Sequence, residues 1–172
     1  MSSLNWLVGG IVNILRSVPF LIMMITIQPL TRMIVGTTIG TRAAIVALVV
    51  SAAPFVARMV EQSLLEIDHG VIEAAQSMGA SNTQIIAKVL LPESKPSLLN
   101  GALVSATTIL GYSAMAGFLG GGGLGDIAIR YGYNRYDTGT MLITVVLLVI
   151  LVQIIQSVGS RIAKRSDKRI ND

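Results

Sequence analysis

Two long apolar stretches without a single charged residue constrain the fold of this chain most strongly. They cover residues 98–118 and 138–160. About 20 apolar residues in a helix cross the hydrocarbon core of a bilayer. Only a helix or a closed barrel satisfies its backbone polar groups there. Both stretches therefore predict transmembrane helices.

Two further apolar stretches, 11–30 and 39–59, predict spans that rely on arginines near their ends. Those arginines reach the headgroups by snorkelling. Pro19 lies inside the first of these stretches and Pro54 near the end of the second. The four stretches predict an all-α, polytopic membrane helix bundle with about four transmembrane helices, and a single membrane domain over residues 1–172.

The composition excludes a soluble domain and several classes of site. Charged residues make up 13% of the chain and the mean hydropathy is +0.71, whereas about a quarter of the residues in average soluble domains are charged. The net charge of +4 comes from residues at the ends of apolar stretches. Membrane lipid is therefore an expected partner and nucleic acid is not. The absence of cysteine excludes disulfides, zinc–thiolate sites and cysteine nucleophiles.

Lysine and arginine are distributed unequally between the two sides of the predicted bundle, and cytoplasmic loops carry the excess. The N-terminus lacks a basic region and a cleavage site, so we expect mature protein from the start. Both termini and the polar segment 61–97 are predicted to be cytoplasmic. The predicted inner side carries nine basic residues: Arg16, Arg58, Lys88, Lys95, Arg161, Lys164, Arg165, Lys168 and Arg169. The predicted outer side carries four: Arg32, Arg42, Arg130 and Arg135.

The cytoplasmic segment predicts a hairpin of two short helices. Asp68 is placed to cap the first helix, and Gly79 suits a left-handed C-cap. Ser81 and Gln84 have the spacing of a capping box for the second helix, which Pro92 is expected to stop before the third span.

The polar face of this hairpin favours a protein partner. An amphipathic connector on the membrane surface is the alternative, but such helices favour Lys and Arg on their polar face. The face here is mostly uncharged and consists of Glu73, Gln76, Ser77, Asn82 and Gln84.

One spacing in the hairpin resembles the signature of permease subunits of ABC-type importers. Glu-Ala-Ala at 73–75 is followed after three residues by Gly79 and after nine more by Val89-x-Leu91-Pro92. Only Val89 departs from the pattern, because isoleucine is usual there. The resemblance implies a coupling helix docked in a groove of a separate ATPase subunit. The implied coupling residues are Glu73, Ala74, Ala75, Gly79, Leu91 and Pro92.

The resemblance extends to methionine-uptake permeases of the bacterial inner membrane through three further segments, 11–20, 52–61 and 111–117. It implies import of D- or L-methionine by alternating access, a homodimer of permeases, two ATP-binding cassette subunits and an external methionine-binding lipoprotein. ATP and Mg²⁺ would be held by the ATPase partner, with no enzymatic activity and no cofactor in this chain. Such permeases have five membrane helices, and on this resemblance we expect the first of them to be absent from this sequence. A truncated, non-conducting or regulatory permease is therefore an alternative, as is a permease for another small amino acid.

The third predicted span supplies candidates for the translocation path. Neither it nor the fourth contains an Asp, Glu or Lys, which argues against an ion-driven carrier. Small and hydroxylated residues on this span either pack helices closely or line a polar path, and the sequence leaves both open. Met115 is the gate candidate, since two flexible thioether chains could meet across a two-fold axis; packing within its own subunit is the alternative. The pore and gate candidates are Ser105, Thr108, Tyr112, Ser113 and Met115.

Two enzymatic interpretations fail on context. Gly120, Gly122 and Gly125 match G-x-G-x-x-G, but a predicted membrane helix precedes them, whereas a nucleotide-binding motif needs a strand. His69 and Ser113 fall on opposite sides of the predicted membrane, which excludes a Ser–His dyad.

Overall fold

The computed structural model describes the backbone of residues 3–166 and the side chains of residues 6–164. Within those ranges the chain is helical and contains no strand. The helices are α1 Ser3–Ser17, α2 Phe20–Thr26, α3 Gln28–Val35, α4 Thr41–Leu65, α5 His69–Ser77, α6 Asn82–Ile85, α7 Leu91–Met115, α8 Gly123–Ile127 and α9 Thr138–Ser166. Shorter turns join them: π turns at Ile86–Leu90 and Ala128–Tyr133 and a 3₁₀ turn at Ala116–Leu119.

Three helices in the described part of the chain are long and apolar enough to cross a membrane. They are Thr41–Leu65, Asn82–Leu119 and Thr138–Lys164. A bent pair, Trp6–Ser17 with Phe20–Thr26, raises the number to four if it counts as one span. The predicted all-α membrane bundle is therefore confirmed.

The span predicted over residues 11–30 is not one continuous helix but is bent at Pro19. α1 and α2 meet at an angle of 106°, and the chain between them is extended at Pro19, with φ −57° and ψ 141°. Proline lacks an N–H and disfavours helical geometry in the residue before it. α2 packs Phe20 and Met24 against α4 in the core of the bundle, whereas α1 lies across the other end of α4.

The prediction that Pro92 stops the second helix of the hairpin is also wrong. α6, the π turn, α7 and the 3₁₀ turn form one helix of 38 residues. In the π turn the Leu91 N–H donates to the Ile86 carbonyl five residues back. This wider turn separates the ring of Pro92 from the preceding turn, so the helix continues. The second arm of the hairpin is thus a direct extension of the third span.

α4 and α7 make the most extensive contact between two helices of the described chain. A Cβ on Gly101 would lie 3.6 Å from both Met59 Cβ and Ser63 Oγ. Ser105, one turn further along, is buried and donates to the Gly101 carbonyl at 2.8 Å. Small residues at a helix contact let the backbones approach closely and gain dispersion energy.

Hydrogen bonds to backbone carbonyls connect the helices at the predicted outer end of the bundle. The Gly40 N–H donates to the Leu119 carbonyl at 2.8 Å, and the Thr41 hydroxyl donates to the Gly121 carbonyl at 3.1 Å. α8 folds back against the end of α7, where Gly125 lies directly on the carbonyl of Ala114.

α9 begins with a side-chain cap. The Asp137 carboxylate accepts hydrogen bonds from the Thr140 hydroxyl at 2.6 Å and the Thr140 N–H at 3.1 Å. Both hydrogen bonds lower the pKa of Asp137, and the bond from the Thr140 hydroxyl contributes most. The stabilisation of the folded protein by this cap is therefore fully present above the pKa that Asp137 has in the unfolded chain. It is lost as the pH falls through the lower pKa that Asp137 has in the folded protein.

We expect Gly125→Ala to destabilise the protein by about 1–3 kcal/mol, because the added Cβ would overlap the Ala114 carbonyl. Gly111→Ala is the matched control, since a Cβ at that position meets nothing within 4 Å. Alanine also favours the helix more than glycine does, so this variant should not be destabilised. Thermal unfolding in detergent, followed by circular dichroism, measures both. Equal melting temperatures for the two variants would contradict the close contact between α7 and α8.

Candidate coupling surface and translocation path

The hairpin that follows α4 starts with the predicted cap. The Asp68 carboxylate accepts the Gly70 N–H at 2.7 Å, and α5 begins at His69. Such a cap satisfies one of the free N–H groups of the first turn and stabilises a helix by about 1 kcal/mol. A nine-residue helix needs this help, since it is too short to be stable alone.

Gly79 ends α5 in the predicted left-handed conformation, with φ +79°. The Gly79 N–H donates to the Gln76 carbonyl at 2.9 Å, and the Ala80 N–H donates to the Ala75 carbonyl at 3.1 Å. These two bonds form a Schellman motif, which satisfies carbonyls that the helix end would leave free.

The predicted capping box is present at the start of α6. The Ser81 N–H donates to Gln84 Oε1 at 2.9 Å, and the Gln84 N–H donates to Ser81 Oγ at 3.4 Å. The reversal between α5 and α6 is therefore hydrogen-bonded on both sides and holds the two helices in a fixed relation.

The hairpin has an inner apolar face and an exposed outer face. Ala75 and Ile85 are buried at 5% exposure where α5 folds onto the long helix. Glu73 lies on the exposed face, and Met78 at the tip is 82% exposed. The Glu73 carboxylate has no hydrogen-bond or ion-pair partner among residues 3–166. A large exposed thioether at the tip and an unpaired carboxylate on the exposed face of α5 suit a protein partner.

The six predicted coupling residues do not share one surface. Glu73, Ala74 and Gly79 are exposed on the hairpin, and Ala75 points inward. The other two are exposed on the long helix at its π turn: Leu91 and Pro92. Their role in coupling stays a prediction.

Sequence reasoning missed a polar tie at the base of the hairpin. The Ser97 hydroxyl donates to Glu66 Oε2 at 2.6 Å and lies 3.1 Å from the Ser63 hydroxyl. The tie joins the ends of α4 and α7 beside a cleft of about 340 Å³. Its partners are more than 30 residues apart in the sequence, so no periodicity or motif pointed to it.

The hydroxyl groups predicted to line a path donate to their own helix. Ser105, Thr108 and Ser113 donate to the Gly101, Val104 and Leu110 carbonyls at 2.7–2.8 Å. Ser105 lies at the contact between α4 and α7, where a small side chain permits close packing.

Tyr112 and Met115 have different surroundings on α7. The Tyr112 ring stacks on the Phe20 ring, with centroids 4.8 Å apart and planes 2° from parallel. Met115 is 43% exposed at the predicted outer end of the helix. Ser113 lines a separate cleft of about 290 Å³ beside Gly121. The structure thus spreads the five pore and gate candidates over different environments, and their role in transport stays a prediction.

Comparisons with known proteins give one consistent result. Residues 1–172 match the family described as binding-protein-dependent transport system inner membrane component. A probable D-methionine transport system permease protein of Vibrio cholerae is 58% identical over 96% of this chain and 74% of its own length. A methionine import system permease protein of Bacillus subtilis is 46% identical over 97% of this chain and 75% of its own length.

A solved structure has the same fold. A chain from inward-facing crystals of a methionine ABC transporter superposes with a TM-score of 0.93 at 52% identity. The match covers 98% of this chain and 78% of the solved one. At this identity the likeness extends beyond the arrangement of helices to the residues that build them.

Proposed function

The chain belongs to the binding-protein-dependent transport system inner membrane component family, and on that premise we propose that it is the permease subunit of an ATP-driven methionine importer. The observation that carries the proposal is the 58% identity, over almost the whole chain, to a D-methionine permease. The superposition on a methionine ABC transporter supports the same substrate. As a permease, the chain is a multi-pass inner membrane protein that supplies the translocation path.

The hairpin is the part of the chain that receives work from ATP. We infer that two copies of the permease assemble with two ATPase subunits, which hold ATP and Mg²⁺. The exposed face of α5 with Glu73, together with Met78 at the tip, would enter a groove on the ATPase. An external methionine-binding lipoprotein would deliver D- or L-methionine from the other side.

The long helix offers a direct route for this work. α5 rests on it through Ala75 and Ile85, and it runs 38 residues from the hairpin to the far end of the bundle. The Ser63–Ser97–Glu66 tie links its base to α4. A displacement of the hairpin by the ATPase would therefore move α4 and α7 together, as alternating access requires.

We expect Glu73→Lys and Gly79→Val to abolish methionine uptake while the protein still inserts into the membrane. The lysine reverses the unpaired charge at the docking surface. A Cβ at φ +79° costs roughly 1–2 kcal/mol and would reorient α5. Uptake of labelled methionine and co-purification of the ATPase subunit measure the effects.

Two controls separate docking from general damage. Gly79→Asn should keep co-purification, because asparagine tolerates the left-handed conformation. Asn134→Lys introduces the same lysine at an exposed position on the predicted outer side and should also keep it. The docking assignment fails if Glu73→Lys and Asn134→Lys retain equal amounts of ATPase.

Reporter fusions test the orientation that the coupling role requires. A phosphatase, active only outside the cytoplasm, should be inactive after Asp172 and active in the loop 120–125. The physical reason is the excess of Lys and Arg on the hairpin side. The reverse pattern of activity would place the hairpin out of reach of the ATPase.

Met115→Ala in the reconstituted complex should increase leak of labelled methionine without ATP, or uncouple hydrolysis from uptake. The exposed side chain could meet its copy across a two-fold axis and seal the path. Met33→Ala, which removes another exposed methionine, is the control and should remain tight. Unchanged coupling in Met115→Ala would assign Met115 to packing.

A further inference from the structure

A large groove lies between α1 and the hairpin end of α4, where the transport mechanism above uses no residue. Its volume is about 790 Å³. α1 forms one wall with Trp6 and Arg16, and α4 forms the other with Arg58 and Glu61. On the proposed orientation this groove opens at the inner leaflet of the membrane.

The groove carries a surplus positive charge. Arg58 pairs with Glu61 on the next turn of α4 at 2.6 Å. Arg16, from the opposite wall, has no hydrogen-bond or ion-pair partner in the part of the chain that the structure describes. Because Glu61 is paired with Arg58, the guanidinium group of Arg16 remains without a counter-charge in this groove. Its planar set of N–H donors matches the oxygens of a phosphate.

Apart from Asn13, the rest of the α1 wall is apolar and open. Val8, Val12 and Ala57 line the groove. A Cβ added to Gly9 or Gly10 would meet nothing within 4 Å, so the adjacent glycines leave free space along α1. A cationic group next to an apolar channel has the chemistry of a phospholipid site. A phospholipid has both an anionic headgroup for the cation and an acyl chain for the apolar wall, whereas a soluble anion has only the charge.

The face of α1 that points away from the groove is apolar and exposed, which indicates that α1 and the groove lie at the bilayer surface. Leu7, Ile11 and Ile14 follow helical spacing and are exposed, with Ile14 at 68%. α1 is turned by 106° from α2, and α2 packs in the core of the bundle. A helix that exposes apolar residues and turns away from the bundle suits the membrane interface, where a tryptophan such as Trp6 is also favoured.

We propose that the groove between α1 and α4 binds an anionic phospholipid of the inner leaflet. Its phosphate is held by Arg16, with Arg58 beside it, and one acyl chain lies along Val8, Gly9 and Gly10. Basic pockets at the cytoplasmic side of membrane helices bind lipid headgroups in this way. The proposal needs the predicted orientation but not the methionine substrate or the ATPase partner.

Trp6 is the only tryptophan of the chain and lies on the groove, so its fluorescence reports what occupies the site. The full chain is reconstituted in phosphatidylcholine vesicles with a small fraction of brominated phosphatidylglycerol, or of brominated phosphatidylcholine, as quencher. We expect stronger quenching by the phosphatidylglycerol. Arg16→Gln should reduce this preference roughly fivefold, the effect of one basic residue near an anionic lipid surface.

Two further variants sharpen the test. Arg32→Gln makes the same change at an exposed arginine on the predicted outer side and should leave the preference intact. Gly10→Leu places a side chain in the free space, where an added Cβ meets nothing within 4 Å, and should abolish the preference while Arg16 remains. Circular dichroism confirms that each variant is folded.

Several results would overturn the proposal. Equal quenching by both lipids, or equal loss in Arg16→Gln and Arg32→Gln, would exclude a specific phospholipid site. Relief of quenching by millimolar inorganic phosphate would identify a soluble-anion site instead. If neither lipid quenches Trp6, a protein segment or a second copy of the chain fills the groove.

Discussion

The close approach of α4 and α7 is the contact on which the rest of the structure depends. Gly101 and Ser105 are small enough to let α7 lie against Met59 and Ser63 of α4. Without a hydrophobic driving force between helices in lipid, such packing is the main source of association. α2 and α9 then pack on this pair. The hairpin connects the C-terminal end of α4 to the N-terminal end of α7.

The consequence for function is that the hairpin is not a loose loop. Its reversal is fixed by the Schellman motif at Gly79 and the capping box at Ser81, and its second arm is the start of the long helix. The Ser63–Ser97–Glu66 tie closes the base. A partner that holds the tip thus holds the helix pair, which is what conversion of ATP hydrolysis into movement of a membrane path requires.

The prolines indicate how far local rules can be trusted. Pro19 separates α1 from α2, and the local rule predicts a break there. Pro54 and Pro96 lie inside α4 and α7, and Pro92 follows a π turn without stopping the helix. A proline removes one hydrogen bond and crowds the preceding turn. Whether the helix breaks depends on how the neighbouring turns and helices accommodate it.

The sequence by itself determined the helical membrane fold, the three long spans and the caps of the hairpin, since each follows from a local run or spacing. It also carried the family signature at 73–92. Only the tertiary structure decided the 106° turn of α1, the unbroken helix through Pro92 and the tie between Ser97 and Glu66. It likewise brought Arg16 and Arg58 to one groove. The tie and the groove join residues far apart in the chain, which local periodicity does not reveal. At Pro19 and Pro92 the local rule gives a possible break, but the angle at Pro19 and the continuation of the helix through Pro92 are set by how the neighbouring turns and helices pack.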